Sequence, residues 1–146
     1  MHLTIDGYGG NRELLGSESL VRDLLDRFPG EINMTKITEP NVFEYSGITP
    51  EDWGVTGFVI IAESHISVHT FPDRGYVWVD IFSCKEFEAP GAVDRIVNTF
   101  GLTHVTEHIL ERGLEYPHAV EQAKPISRYE RTVVTGALAE VGVGGA

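Results

Sequence analysis

Residues 58–72 constrain the fold more than any other stretch. Phe58, Val59, Ile60 and Ile61 form an apolar run that reads as a short buried strand. Ala62-Glu63-Ser64-His65-Ile66-Ser67-Val68-His69-Thr70-Phe71-Pro72 follows. Period-two alternation puts Ile66, Val68 and Thr70 on one face and His65, Ser67 and His69 on the other. The plain reading is a half-solvated antiparallel strand with a polar outer face. Yet Glu63, Ser64, His65, Ser67 and His69 crowd proton-transferring groups together, and such a cluster costs stability unless its hydrogen bonds are satisfied. The single cysteine, Cys84, follows a second strand-like run, Tyr76 to Phe82.

Chemistry can be read from these residues in more than one way. Ser64 with nearby histidines suits a nucleophile and its base. The hydrolase elbow Gly-x-Ser-x-Gly is missing, since Ala62 and Ile66 stand where its glycines belong. Cys84 with His69 is another pair suited to covalent or acid–base work. Spacing alone leaves all of these open.

Glu63-Ser64-His65-Ile66-Ser67-Val68-His69-Thr70-Phe71-Pro72, then Gly75-Tyr76, then Val79-Asp80-Ile81-Phe82-Ser83-Cys84, resembles the core of the small prokaryotic S-adenosylmethionine decarboxylases. The likeness extends upstream through Gly54-Val55-Thr56-Gly57 and, more weakly, to His2–Gly9. It spans about residues 2–112, far more than a short motif. The resemblance implies a proenzyme that makes a pyruvoyl group from its own backbone. Decarboxylation leaves a carbanion at the α-carbon, which needs an electron sink. A pyruvoyl carbonyl in Schiff-base linkage with the substrate amine supplies one. By resemblance, the Ser64 hydroxyl attacks the Glu63 carbonyl, and the chain is cleaved between residues 63 and 64. His69 is then the base that removes the Ser64 α-proton. Thr56 stands where the family has a serine that assists processing, and it keeps the hydroxyl. Cys84 matches the acid that protonates the product carbon, with His65 the nearest substitute. The implied activity supplies the aminopropyl donor for spermidine, and a homo-oligomer of cleaved protomers is expected.

The chain has 146 residues, which suits one domain with a real core. We expect that domain over residues 1–132, with a Gly/Ala-rich tail, 133–146, that offers little to pack. Asp and Glu outnumber Lys and Arg 22 to 11, which argues against nucleic acid as a partner. No apolar run approaches membrane-spanning length. One cysteine excludes an internal disulfide, and Met1-His2-Leu3-Thr4-Ile5-Asp6 lacks a signal pattern, so a cytoplasmic protein is expected.

Elements follow from caps and periodicity. His2–Asp6 reads as a strand, followed by a glycine loop without dinucleotide spacing. A helix begins at the Ser17 cap, carries Leu20, Val21, Leu24, Leu25 and Phe28 as its apolar stripe, and stops at Pro29-Gly30. Residues 31–38 alternate as a strand, and 39–53 read as irregular. A central hairpin covers roughly 57–71 and 75–84. A second helix starts near Pro90, with Val93, Ile96, Val97 and Phe100 on one side, and ends at Gly101. Two helices and about six strands in this order give an α/β fold, a two-layer sandwich with a mainly antiparallel sheet and both helices on one face.

Two further features bear on substrate and on alternatives. Family members place an adenine-stacking aromatic shortly before the Gly54 turn, and that position falls at Pro50. Trp53 and Tyr45 are the aromatic substitutes nearby. The same loop carries Glu51 and Asp52, carboxylates suited to the cation of arginine or ornithine, so decarboxylases of those amino acids are the alternative. Phe71 replaces the family's Trp, and Lys85 replaces the Gly after its cysteine. His104-Val105-Thr106-Glu107-His108 fits the inverted zinc-peptidase pattern, which needs a helix. Here it is interleaved with β-branched residues after a helix stop, so a strand is expected and no metal. An inactive binding module of the same fold would stay uncut.

Overall fold

A computed structural model describes residues 1–112. The tail expected from 133 onward lies outside the described residues. Six strands form one antiparallel sheet in the order β2-β3-β4-β5-β1-β6. They are β1 (His2–Tyr8), β2 (Asn41–Tyr45), β3 (Gly54–Ile61), β4 (Ser64–Phe71), β5 (Tyr76–Ser83) and β6 (His104–Leu110). The helices are α1 (Arg12–Leu15), α2 (Glu18–Glu31) and α3 (Ala89–Phe100). Short 3-10 turns occupy Pro50–Asp52 and Pro72–Arg74.

The alternation read in β4 sets the two layers. Ile66 and Val68 are fully buried and Thr70 nearly so, while His65, Ser67 and His69 remain half-buried on the opposite face. On the inner face they join Leu3, Ile5, Val59, Val79 and Ile81 in one apolar cluster. Val21, Leu24, Leu25 and Phe28 of α2, with Val93, Ile96 and Phe100 of α3, close that cluster from above. Burying such side chains contributes roughly 1.5–3 kcal/mol each, which is why both helices sit on this face. The outer face carries no helix among the described residues. It presents Phe58, Ser67, Trp78 and Asp80, half-buried or exposed.

The start of α2 and the end of α3 behave as the caps require. The Ser17 hydroxyl accepts from the Leu20 N–H at 3.2 Å, and Gly101 takes a left-handed φ of 63° after α3. The end of α2 differs from expectation. Pro29 lies within the last turn, and the helix runs on to Glu31. So near the C-terminus a proline removes little, and carbonyls of Phe28, Pro29 and Gly30 accept from Ile32, Met34 and Asn33. The left-handed residue that ends the helix is Asn33, at φ 59°.

Residues 31–38 do not form a strand. They contribute one bridge, Lys36 to Ile61, flanked by Ile37 N–H to Ile60 O and Ala62 N–H to Thr35 O. Conversely, 41–45 are not irregular but pair with β3 as an edge strand. Only Val42 of that strand is buried, so its alternation is too weak to read. The expected hairpin is three strands, because Ala62-Glu63 reverses the chain between Ile61 and its partner Ser64. That tight turn is where cleavage is expected.

Candidate active site

The register of β4 against β5 builds the first half of the site. Ser64 pairs with Ser83, so Glu63 lies beside Cys84, which is far from it in sequence. The Cys84 N–H donates to the Glu63 carbonyl oxygen at 3.0 Å. The Glu63 side chain is held as well, accepting from the Thr35 N–H at 3.0 Å. Ser64 itself has φ 153°, a region that L-residues rarely adopt and that costs on the order of 1–3 kcal/mol. Its hydroxyl lies 3.1 Å from His65 Nδ1. A strained serine with a base at its oxygen, beside a carbonyl already bonded by a backbone donor, is arranged for attack on that carbonyl.

Cys84 is exposed just past the end of β5. Buried Ser83 fixes its turn, with Oγ donating to the Lys85 carbonyl at 2.7 Å and accepting the Lys85 N–H at 2.9 Å. Around His65 the outer face adds Phe82, edge-on at 5.8 Å. His2 reaches Asp80 at 3.1 Å, and the Arg112 guanidinium covers the Phe82 ring at 4.1 Å. Sequence reasoning missed His2, Asp80 and Phe82. Only strand register brings them to the His65 end of β4, and register is invisible to local spacing.

The second half lies at the other end of β4. His69 Nδ1 is 3.2 Å from Thr56 Oγ1, across the β3–β4 ladder. Five residues of extended strand separate His69 from Ser64, roughly 16 Å at about 3.3 Å per residue. Within one chain the structure therefore brings His65, not His69, to Ser64. Exposed aromatics gather around the His69 end. Phe43 faces Thr56 in register, Tyr45 follows two residues on, and Phe71 meets Trp78 at 4.6 Å.

The loop before Gly54 is tied down by charge. Asp52 accepts from Thr49 at 2.6 Å and from Arg74 at 2.7 and 3.0 Å, contacts that hold its carboxyl below the usual range. Asp73 accepts from Arg12 at 2.5 Å and from the Trp53 indole at 2.8 Å, with the same effect. Arg12 also lies over the Trp53 ring, and a Cβ on Gly16 would come within 2.8 Å of it. Trp53 is thus engaged on the loop's inner side, whereas Tyr45 and Glu51 stay exposed. The His104–His108 segment is strand β6, as expected, which holds its two histidines about 13 Å apart and unable to share one ion.

Comparison with known proteins agrees with this architecture. The S-adenosylmethionine decarboxylase family model matches residues 1–113. The chain belongs to that family. An S-adenosylmethionine decarboxylase proenzyme of Hydrogenobaculum sp. is 35% identical over 115 residues, covering 78% of this chain and 81% of the relative. One from Archaeoglobus fulgidus is 33% identical over 113 residues, covering 77% and 96%. The crystal structure of the adenosylmethionine decarboxylase of Aquifex aeolicus superposes with a TM-score of 0.66 at 30% identity, covering 77% of this chain and 89% of that one. The family is one of carboxy-lyases, and its curated relatives are named as proenzymes. No helix among the described residues is long and apolar enough to cross a membrane.

Proposed function

We propose that this chain is a self-processing, pyruvoyl-dependent decarboxylase of S-adenosylmethionine, supplying the aminopropyl donor for spermidine. The observation that carries the reading is the Cys84 N–H on the Glu63 carbonyl, opposite a strained Ser64. As the Ser64 oxygen adds to that carbonyl, negative charge grows on an oxygen that already faces a donor. His65 takes the hydroxyl proton. Collapse breaks the Glu63–Ser64 amide and leaves an ester. Removal of the Ser64 α-proton then expels the Glu63 carboxylate, giving dehydroalanine, which loses ammonia to water and becomes the pyruvoyl end of residues 64–146. That group supplies the electron sink for decarboxylation. Cys84, fixed by Ser83, then delivers a proton to the product carbon from its exposed thiol.

The distance from Ser64 to His69 bears on assembly. A base for the α-proton must come within hydrogen-bond reach, and about 16 Å does not allow it inside one chain. A second copy laid across the open sheet face about a two-fold axis would carry its His69–Thr56 pair to the first copy's Ser64. The uncovered Phe58 and Trp78 on that face suit such an interface. The functional unit is therefore a homodimer with two composite sites. In each, Tyr45, Phe43 and Phe71 are the aromatics free to stack on adenine, a contact worth on the order of 1 kcal/mol. Of the two loop carboxylates that would suit arginine or ornithine, Asp52 is already taken by Arg74 and Thr49, which leaves only Glu51 exposed for such a cation.

Purified chain tests the reading directly. Mass spectrometry should find residues 1–63 and a 64–146 fragment with a blocked, carbonyl-bearing start, while Ser64→Ala stays whole. The cleaved protein should release carbon dioxide from S-adenosylmethionine and not from arginine or ornithine. A wild-type chain that stays intact on long incubation removes the pyruvoyl reading.

A further inference from the structure

The loop from Ser46 to Trp53 has almost nothing apolar to hold it. None of the residues in its Pro50–Asp52 turn is buried, and Ile48 is fully exposed. Its position depends on polar contacts from two other elements. Arg74, in the turn between β4 and β5, grips Asp52 through two nitrogens, and Thr49 closes the other carboxylate oxygen. Asp73 in the same turn joins Arg12 of α1 on one oxygen and the Trp53 indole on the other. The two clasps alternate sign, Arg12–Asp73 and Arg74–Asp52, and act on the adjacent residues Trp53 and Asp52 where the loop runs into β3. Exposed ion pairs of this kind are screened by solvent and add little to global stability, so stability does not account for four charged residues here. What they do is fix a loop.

That loop flanks the His69 end of the open face, next to Tyr45 and Phe43. It is also where the chain departs from its family, with Pro50 in place of the adenine-stacking aromatic. We propose that Asp52 and Asp73, with Arg74 and Arg12, are positioning residues that preset this loop as the wall of the adenosine end of the substrate site. The inference rests on the reading of the chain as an S-adenosylmethionine decarboxylase. Its logic is preorganisation: a wall already in place spares the substrate the cost of ordering it, which lowers KM without touching the chemical step. Self-cleavage at Glu63–Ser64 uses no substrate, and the latch contacts fall on Thr49, Asp52 and Trp53 rather than on Thr56 or His69, so the latch leaves cleavage alone.

The experiment compares Asp73→Asn, Asp52→Arg, Arg74→Asp and the double reversal Asp52→Arg/Arg74→Asp with the wild type. Self-cleavage rate, KM and kcat for S-adenosylmethionine are measured on each. The single substitutions should cleave at the wild-type rate and keep kcat within about twofold. Their KM should rise roughly tenfold, the scale expected when one or two side chains must be ordered on binding. The double reversal should recover most of the lost KM, a rescue that general loss of packing would not give. Wild-type KM in the processed single variants overturns the proposal, as does a KM that the double reversal fails to restore. So does a parallel fall in cleavage and kcat, which would mean a structural role only. A wild-type chain that cleaves itself yet leaves S-adenosylmethionine untouched instead overturns the functional reading, and this inference with it.

Discussion

In the proposed reaction Cys84 contributes two different groups to two different steps. Its N–H faces the Glu63 carbonyl, and its thiol stands exposed where Ser83 holds the turn. Cys84→Ala keeps the first and loses the second. It should cleave itself normally and then decarboxylate about a hundredfold to ten-thousandfold more slowly, the usual effect of losing a positioned acid. Cys84→Pro has no N–H, and removing one such donor typically costs about a hundredfold or more. Its cleavage should stall while circular dichroism still reports a folded chain. Fragment masses over time, with carbon dioxide release on any cleaved material, separate the two. A Cys84→Ala chain that turns over at the wild-type rate would move the acid to His65. Ser64 and Cys84 can be matched to a family from sequence, but the hydrogen bond joining their neighbourhood cannot. It arises because Ser64 stands opposite Ser83, a pairing set by the length of the whole β4–β5 hairpin.

Among the elements, legibility tracks redundancy of signal. Helix α3 has Pro90 near its start, Gly101 after its end and a full apolar stripe between, and all three agree. In α2 the stop signal was ambiguous, since Pro29-Gly30 sits one turn before Asn33, and tertiary burial of Pro29 carried the helix onward. Strand β2 was hidden because an edge strand with one buried residue loses its period. The 46–53 loop is irregular apart from its 3-10 turn, and of its two carboxylates Asp52 is tied to Arg74 and Thr49 while Glu51 stays exposed. Titration of the latch carboxylates has a definite sign. Asp52 and Asp73 both have lowered pKa values in the fold, through Thr49 and Arg74 for the first and Arg12 and Trp53 for the second. Such groups stabilise the folded loop above the ordinary aspartate range and release that contribution as pH falls through their folded values. In a Trp78→Phe background, Trp53 emission should stay constant on acidification until below about pH 4, then shift toward solvent-exposed values. Asp73→Asn should abolish the step. A step of unchanged size in that variant would detach Trp53 from the latch.

Among the described residues only one face of the sheet is covered, and β4 carries an incomplete set of groups at each end. Ser64, His65 and Cys84 sit at one end of β4, and Thr56 and His69 at the other. Once residues 64–71 are read as one strand, the separation of about 16 Å follows from strand rise alone. The proposed role for His69 at Ser64 would then require a second chain, a consequence of strand rise that local spacing of the two residues does not display. Complementation decides the matter. Ser64→Ala cannot cleave because it has no hydroxyl, and His69→Ala should not because its α-proton has no base. Co-expressed with different tags, the two should form mixed dimers in which one site combines Ser64 of the His69→Ala chain with His69 of the Ser64→Ala chain. In those dimers the His69→Ala chain should be cut at Glu63–Ser64 while the Ser64→Ala chain stays whole. If His69 acted within its own chain, no fragment would appear in the mixture. Were His65 the elimination base instead, His69→Ala would cleave by itself, without a partner. Only a site shared between two copies gives cleavage that depends on mixing.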